Sequence, residues 1–169
     1  MSTPRRRLIR ERVLQALYAY ELSREPIAFI EENFLQELKS RPHDFIFATE
    51  LIQSVVQHQK EVDKVIRSQV KNWDSDRIAI IDKIIIRIAI SELLYFRDIP
   101  PKVTLNEAIE VAKIFSTEHS PTFVNGILDS IFRELKSSKR LKKSGRGLLV
   151  TNLAEKQRPQ KAVKSAKGK

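Results

Sequence analysis

A chain of 169 residues with 41% hydrophobic content is long enough to bury one core, and its lack of cysteine excludes both a disulfide framework and a thiolate metal site. The formal charge of +10 is uneven: residues 136–169 hold twelve Lys/Arg against Glu155 alone, and residues 1–12 hold five arginines and one glutamate, so residues 13–135 are net −5. The apolar run after Arg5-Arg6-Arg7 is broken by Arg10, Glu11, Arg12 and Gln15, and the most apolar window, 78–96, contains Asp82, Lys83, Arg87 and Glu92, which argues against a secretory leader and a membrane span and fits a cytoplasmic protein.

In chain order, Thr3-Pro4 reads as an N-cap with proline at the first helical position, and Ile9, Val13, Ala16, Leu17 and Tyr20 recur at helical spacing to about Leu22. Ile30, Phe34, Leu35 and Leu38 mark a second helix that ends before Pro42. From Asp44 to Asn72 the apolar positions keep a period near 3.5, as one long helix or two end to end. The run IIIRIAI favours a strand on propensity, but about nineteen residues without a turn residue are long for one, so 78–96 is predicted as the central helix.

After Pro100-Pro101, Thr104-Leu105-Asn106-Glu107 matches a capping box and predicts a helix over 104–115, followed by Ile109, Ala112 and Ile114. Asn125-Gly126 between apolar residues is a hairpin signal. Ser120-Pro121, however, repeats the cap-and-proline signature, and Phe123, Ile127, Leu128, Ile131 and Leu135 continue a helical stripe. Gly126 is therefore predicted inside a helix, its cost of about 1 kcal/mol offset by close approach of a neighbouring helix. The expected fold is all-α, with a helical domain over residues 1–137 and a disordered Lys/Arg-rich tail over 138–169 whose composition buries too little surface to offset its ordering entropy.

No catalytic constellation is present. His43, His58 and His119 lack metal-ligand spacing, no phosphate-cradling glycine motif occurs, and neither an enzyme activity nor a cofactor is expected. Arg5, Arg6, Arg7 and Arg10 occupy the first turns of a helix, where cations oppose the macrodipole at about 0.3–1 kcal/mol each. Stability does not explain them, whereas arginine binds phosphate bidentately and stacks on bases. Phe115 and Phe123 bracket STEHSPT; both read as core residues, or as stacking platforms for an unpaired base.

RRRLIRERVLQALYAYELS, KVTLNEAIEVAKIFSTEHSPTFVNGILDSI and DKIIIRIAISELLYFRDIPPKV closely resemble the NusB family of transcription antitermination factors, across about residues 5–135. The resemblance implies a helical bundle of two three-helix-like subdomains and two partners, boxA-type single-stranded RNA and the ribosomal protein NusE, within the RNA polymerase antitermination complex that reads through terminators of ribosomal RNA operons. It implies that Arg5, Arg6, Arg7, Arg10, Lys113, Phe115 and Phe123 face RNA, joined by His119 where the family often has an acid. Tyr18, Leu22, Asp82, Arg87 and Glu92 are the residues expected to face NusE.

Two rivals stand beside this reading. One is a non-catalytic helical RNA-binding or interaction module related to the N-terminal domain of ribosomal-RNA cytosine methyltransferases. The other is a basic structural protein whose tail does the binding while the body dimerises. The sequence admits both a monomer and a homodimer.

Overall fold

Helix α5 (Ile80–Tyr95) is the axis about which the other elements pack, and ten consecutive residues from Ile84 to Leu93 are buried. A strand-like composition becomes helical here because the segment is enclosed on every side, so it needs no polar face and satisfies its backbone internally. The computed structural model describes residues 4–70 and 75–148, and every regular element among them is helical.

The first group is α1 (Pro4–Ser23), α2 (Ile27–Phe34), a 3-10 turn at Gln36–Leu38 and α3 (Pro42–Gln57). The second contains α4 (Gln59–Gln69), a 3-10 turn at Ser75–Arg77, α5, α6 (Pro101–Phe115) and α7 (Ser120–Ser137). Helix α1 packs on α2 and α3, α6 packs on α7, and α5 touches α1, α3, α4, α6 and α7. One continuous core results, in which each fully buried Ile or Leu contributes about 1.5–3 kcal/mol.

Several local expectations are corrected. The predicted second helix breaks at Leu35 into the 3-10 turn, and the 44–72 segment is two helices parted at His58, whose ring stacks on Tyr95 at 3.9 Å between centroids. Asn72 and the predicted cap Thr3 lie outside the described residues. Helix α6 starts at Pro101, with proline in its first turn, so Thr104 and Glu107 are interior residues serving tertiary partners and not a capping box. Ile114, placed on the helical stripe by its spacing, is 58% exposed.

Ser120 does not cap α7; its hydroxyl is turned to Asp82. Gly126 is helical as expected, but no neighbour approaches: a Cβ built there meets nothing within 4 Å. The disorder expected from residue 138 is not met over residues 138–148, which return over the C-terminal end of α5; the rest of the expected tail, residues 149–169, lies outside the described residues. Among the described residues no helix is long and apolar enough to cross a membrane.

Candidate nucleic-acid interface

At 3.6 residues per turn, the four arginines at the start of α1 fan out around the helix and meet different surroundings. Arg10 points inward at 3% exposure and donates from Nε and Nη2 to both carboxylate oxygens of Glu92 on α5, at 2.9 and 2.6 Å. Burial opposes its charge, and the Glu92 carboxylate more than offsets that, raising the guanidinium pKa. Arg7 makes the same two-pronged contact with Glu107 of α6, at 2.9 and 3.1 Å, and this bond raises its pKa in turn.

Arg10 is thus corrected from an RNA contact to a tie between helices, since a group this enclosed has no route to a phosphate. Arg7 keeps about a third of its side chain in solvent, 34%. Arg5 and Arg6 are the exposed pair. Arg5 Nε reaches Asp44 at 2.6 Å with 55% of its side chain in solvent, and the Arg6 guanidinium lies 4.4 Å over the ring of Phe47. Phe47 in turn meets Phe96 edge-on at 5.9 Å. The sequence did not single out Phe47 as a platform, because a buried aromatic on α3 carries no local sign of what lies above it.

The second cluster is the turn between α6 and α7. Asp82, in the first turn of α5, accepts the hydroxyls of Ser116 and Ser120 at 2.5 and 2.9 Å, and Ser120 also shares hydrogen bonds with Ser116 and Thr117. This network fixes the turn from below. Phe115 and Phe123 flank it, each half-buried with part of the ring against the core, and His119 is exposed just ahead of α7. Lys113 is exposed beside them, 3.0 Å from Glu110. Lys113 pairs with Glu110 one turn before it, and lies about 9 Å along the helix axis from Glu107, the carboxylate that Arg7 grips, but turned away from it around the helix. Helix α6 joins the two clusters: its Glu107 holds Arg7 of α1, and its C-terminal end carries Lys113 and Phe115.

The residues expected to face a protein partner divide differently. Tyr18 and Leu22, one turn apart on α1, are 37% and 59% exposed, and Phe29 of α2, which the sequence reading passed over, is 55% exposed. Asp82, Arg87 and Glu92 are corrected: all three are at most 5% exposed. Asp82 holds the α6–α7 turn, Arg87 donates to both oxygens of Asp63 on α4 at 2.7 and 2.9 Å, and Glu92 receives Arg10. They secure the scaffold instead of lining its surface.

A cleft of about 450 Å³ opens beside Arg5, lined also by Leu8, Arg12, Leu38, Arg41 and Asp44. No cluster of three or more His, Asp or Glu suited to a metal ion occurs among the described residues.

Residues 7–133 match the model of the NusB family. The chain is 48% identical over 149 residues to the transcription antitermination protein NusB of Chloroherpeton thalassium, covering 85% of this chain and 69% of that protein. The solved structure of T. maritima NusB is 38% identical and superposes with a TM-score of 0.72, covering 79% of this chain and 94% of its own. A structure of antitermination factors NusB and NusE in complex with dsRNA shares the fold at 21% identity and a TM-score of 0.70, over 78% of this chain and 98% of its own.

Proposed function

The chain belongs to the NusB family of non-catalytic, RNA-binding antitermination factors, and on that premise we propose that it binds boxA-type single-stranded RNA together with the ribosomal protein NusE, helping RNA polymerase read through terminators in ribosomal RNA operons in the cytoplasm. The observation that carries this reading is the placement of Arg5 and Arg6. Both are exposed at the positive end of a helix dipole, which disfavours cations, and the Arg6 guanidinium lies over the ring of Phe47.

In this reading the arginines draw the phosphates, Lys113 adds a third point of attraction, and Phe115 or Phe123 offers a ring face to an unpaired base. His119 stands at the mouth of the same turn. The dipole of α7 begins beside it, so the first turn of that helix favours an anion. NusE would meet the apolar strip of Tyr18 and Leu22 on the same helix that presents the arginines, which gives one element two partners. The solved NusB–NusE assembly with dsRNA supports the class of partners.

Affinities of the full chain for a boxA oligonucleotide, a scrambled one and a double-stranded one, with and without NusE, test the proposal. The single-stranded boxA RNA should bind most tightly and NusE should widen the gap. Arg5→Ala/Arg6→Ala should weaken binding and shrink the log–log salt slope by about 1.4, two phosphate contacts on a single strand. Equal affinity for all three RNAs, undiminished in that variant, would sink the reading in favour of a tail that binds any polyanion.

A further inference from the structure

Beyond α7 the backbone stays on the body, and each contact has an identifiable cause. Lys139 takes a left-handed conformation, φ 58°, so that its N–H returns to the Lys136 carbonyl at 3.2 Å and the Arg140 N–H to that of Leu135 at 2.9 Å, which closes the helix in a Schellman motif. Arg140 then pairs with Glu61 of α4 at 2.9 Å, and Leu141 rests half-buried against the core. Lys143 Nζ donates to the carbonyls of Glu92 and Phe96 at 3.0 and 2.7 Å, placing an ammonium at the negative end of α5. The Ser144 N–H donates to the Arg97 carbonyl at 3.0 Å, and Gly147 is so close that a Cβ would sit 2.2 Å from that oxygen. Residues 138–148 form a strap held at several points.

Three cationic side chains here do none of the holding. Arg97, Lys142 and Arg146 are exposed, and none is in an ion pair among the described residues, although Asp98 follows Arg97 in the turn. The backbone contacts of Ser144 and Gly147 with the Arg97 carbonyl bring all three cations to the C-terminal end of α5, where no ion pair partners them among the described residues. Their position is the informative part. Phe96, whose carbonyl Lys143 caps, meets the edge of Phe47, and Phe47 is the ring beneath Arg6. Phe96 and Phe47 therefore link the strap's anchor to Arg6 through one edge-on ring contact.

We propose that the strap is a second cationic arm of the nucleic-acid site, in which Lys142 and Arg146, with Arg97 of the α5–α6 turn, bind backbone phosphates of the same single-stranded RNA that Arg5 and Arg6 engage. This rests on the RNA reading above and extends it to residues past the 133rd, where the family match ends. The division of labour is chemical. Leu141, Lys143 and Gly147 are committed to docking, while Lys142 and Arg146 are left pointing their charge outward at fixed positions, which lowers the ordering cost of binding below that of a loose tail.

A salt titration of binding between the full chain and a single-stranded boxA oligonucleotide tests this, for the unaltered protein, Lys142→Ala/Arg146→Ala and Arg5→Ala/Arg6→Ala. The arm predicts several-fold weaker binding of the strap variant at physiological salt and a slope smaller by about 1.4, with no loss of thermal stability because neither side chain anchors the strap. Lys143→Met, which keeps both charges but removes the helix cap, should also weaken binding and move the Leu141 methyl resonances toward their unfolded positions. Unaltered affinity and slope in the strap variant, beside a loss in Arg5→Ala/Arg6→Ala, overturn the arm and leave the RNA reading standing. No loss in either variant overturns both, and tighter binding by the strap variant overturns the arm by making the strap a competitor of RNA.

Discussion

Removing one side of the Arg10–Glu92 pair leaves the other charge almost wholly enclosed, Glu92 at 1% exposure or Arg10 at 3%. An uncompensated buried charge costs about 3–5 kcal/mol, so Arg10→Ala and Glu92→Gln should each lower the unfolding free energy in urea by that amount. Replacing both with apolar residues should recover most of the loss, and a single-variant cost below about 1 kcal/mol would contradict the enclosed geometry. At Gly126 the expected sign reverses. The position is exposed, helical and uncrowded, so Gly126→Ala should stabilise the chain by about 0.5–1 kcal/mol in the same assay. The residue scale is also where sequence reading was weakest. Arg5, Arg6, Arg7 and Arg10 are one residue type in one helical turn and a half, and what separates an exposed cation from a buried tie is a carboxylate 100 or 82 positions away in the chain.

At the scale of elements, periodicity carried most of the information, because helices bury stripes and stripes repeat. The existence of α1, α5, α6 and α7 was legible for that reason. Their starts were less so: Thr104 and Glu107 satisfy the local grammar of a capping box, yet each is occupied by a tertiary partner, and the helix begins at Pro101. The strap was hidden by its composition, since a lysine that caps a helix end and a glycine pressed on a carbonyl look, in one dimension, like solvated tail. Its pH response follows from Lys143. Burial brings the ammonium down to about 8 from 10.5, with Glu92 and Asp98 opposing the shift. Between those values the detached strap binds more protons than the docked one, so docking strengthens as pH rises through that window. The docked fraction, read from Leu141 methyl resonances in enough urea to loosen the strap, should be larger at pH 10.5 than at pH 7.5. A smaller fraction would show that the charged form is the one favoured.

At the scale of the whole molecule, the candidate RNA-binding residues come from α1, the strap and the α6–α7 turn, and α5 holds all three. Its first turn holds the α6–α7 turn through Asp82, its middle holds α4 through Arg87, and its last turns hold α1 through the Glu92 side chain and the strap through the Glu92 carbonyl. The three buried polar residues that seemed from sequence to be partner contacts are the fasteners that bring the exposed ones into line. That distinction follows from where water is excluded, which neither spacing nor charge records. Tyr18 and Leu22 remain as the exposed part of the expected protein-facing surface.

The ties from α1 to Glu92 and Glu107 also impose an order of events during synthesis. A ribosome adds about 5–20 residues per second, so the first helix spends several seconds outside the exit tunnel before the carboxylate that Arg10 needs, and then the one that Arg7 needs, has been made. Throughout that interval α1 can already pack on α2 and α3, but Arg7 and Arg10 lack the carboxylates that later hold them. Helix α1 is thus translated well before the partners that complete the burial of its arginines.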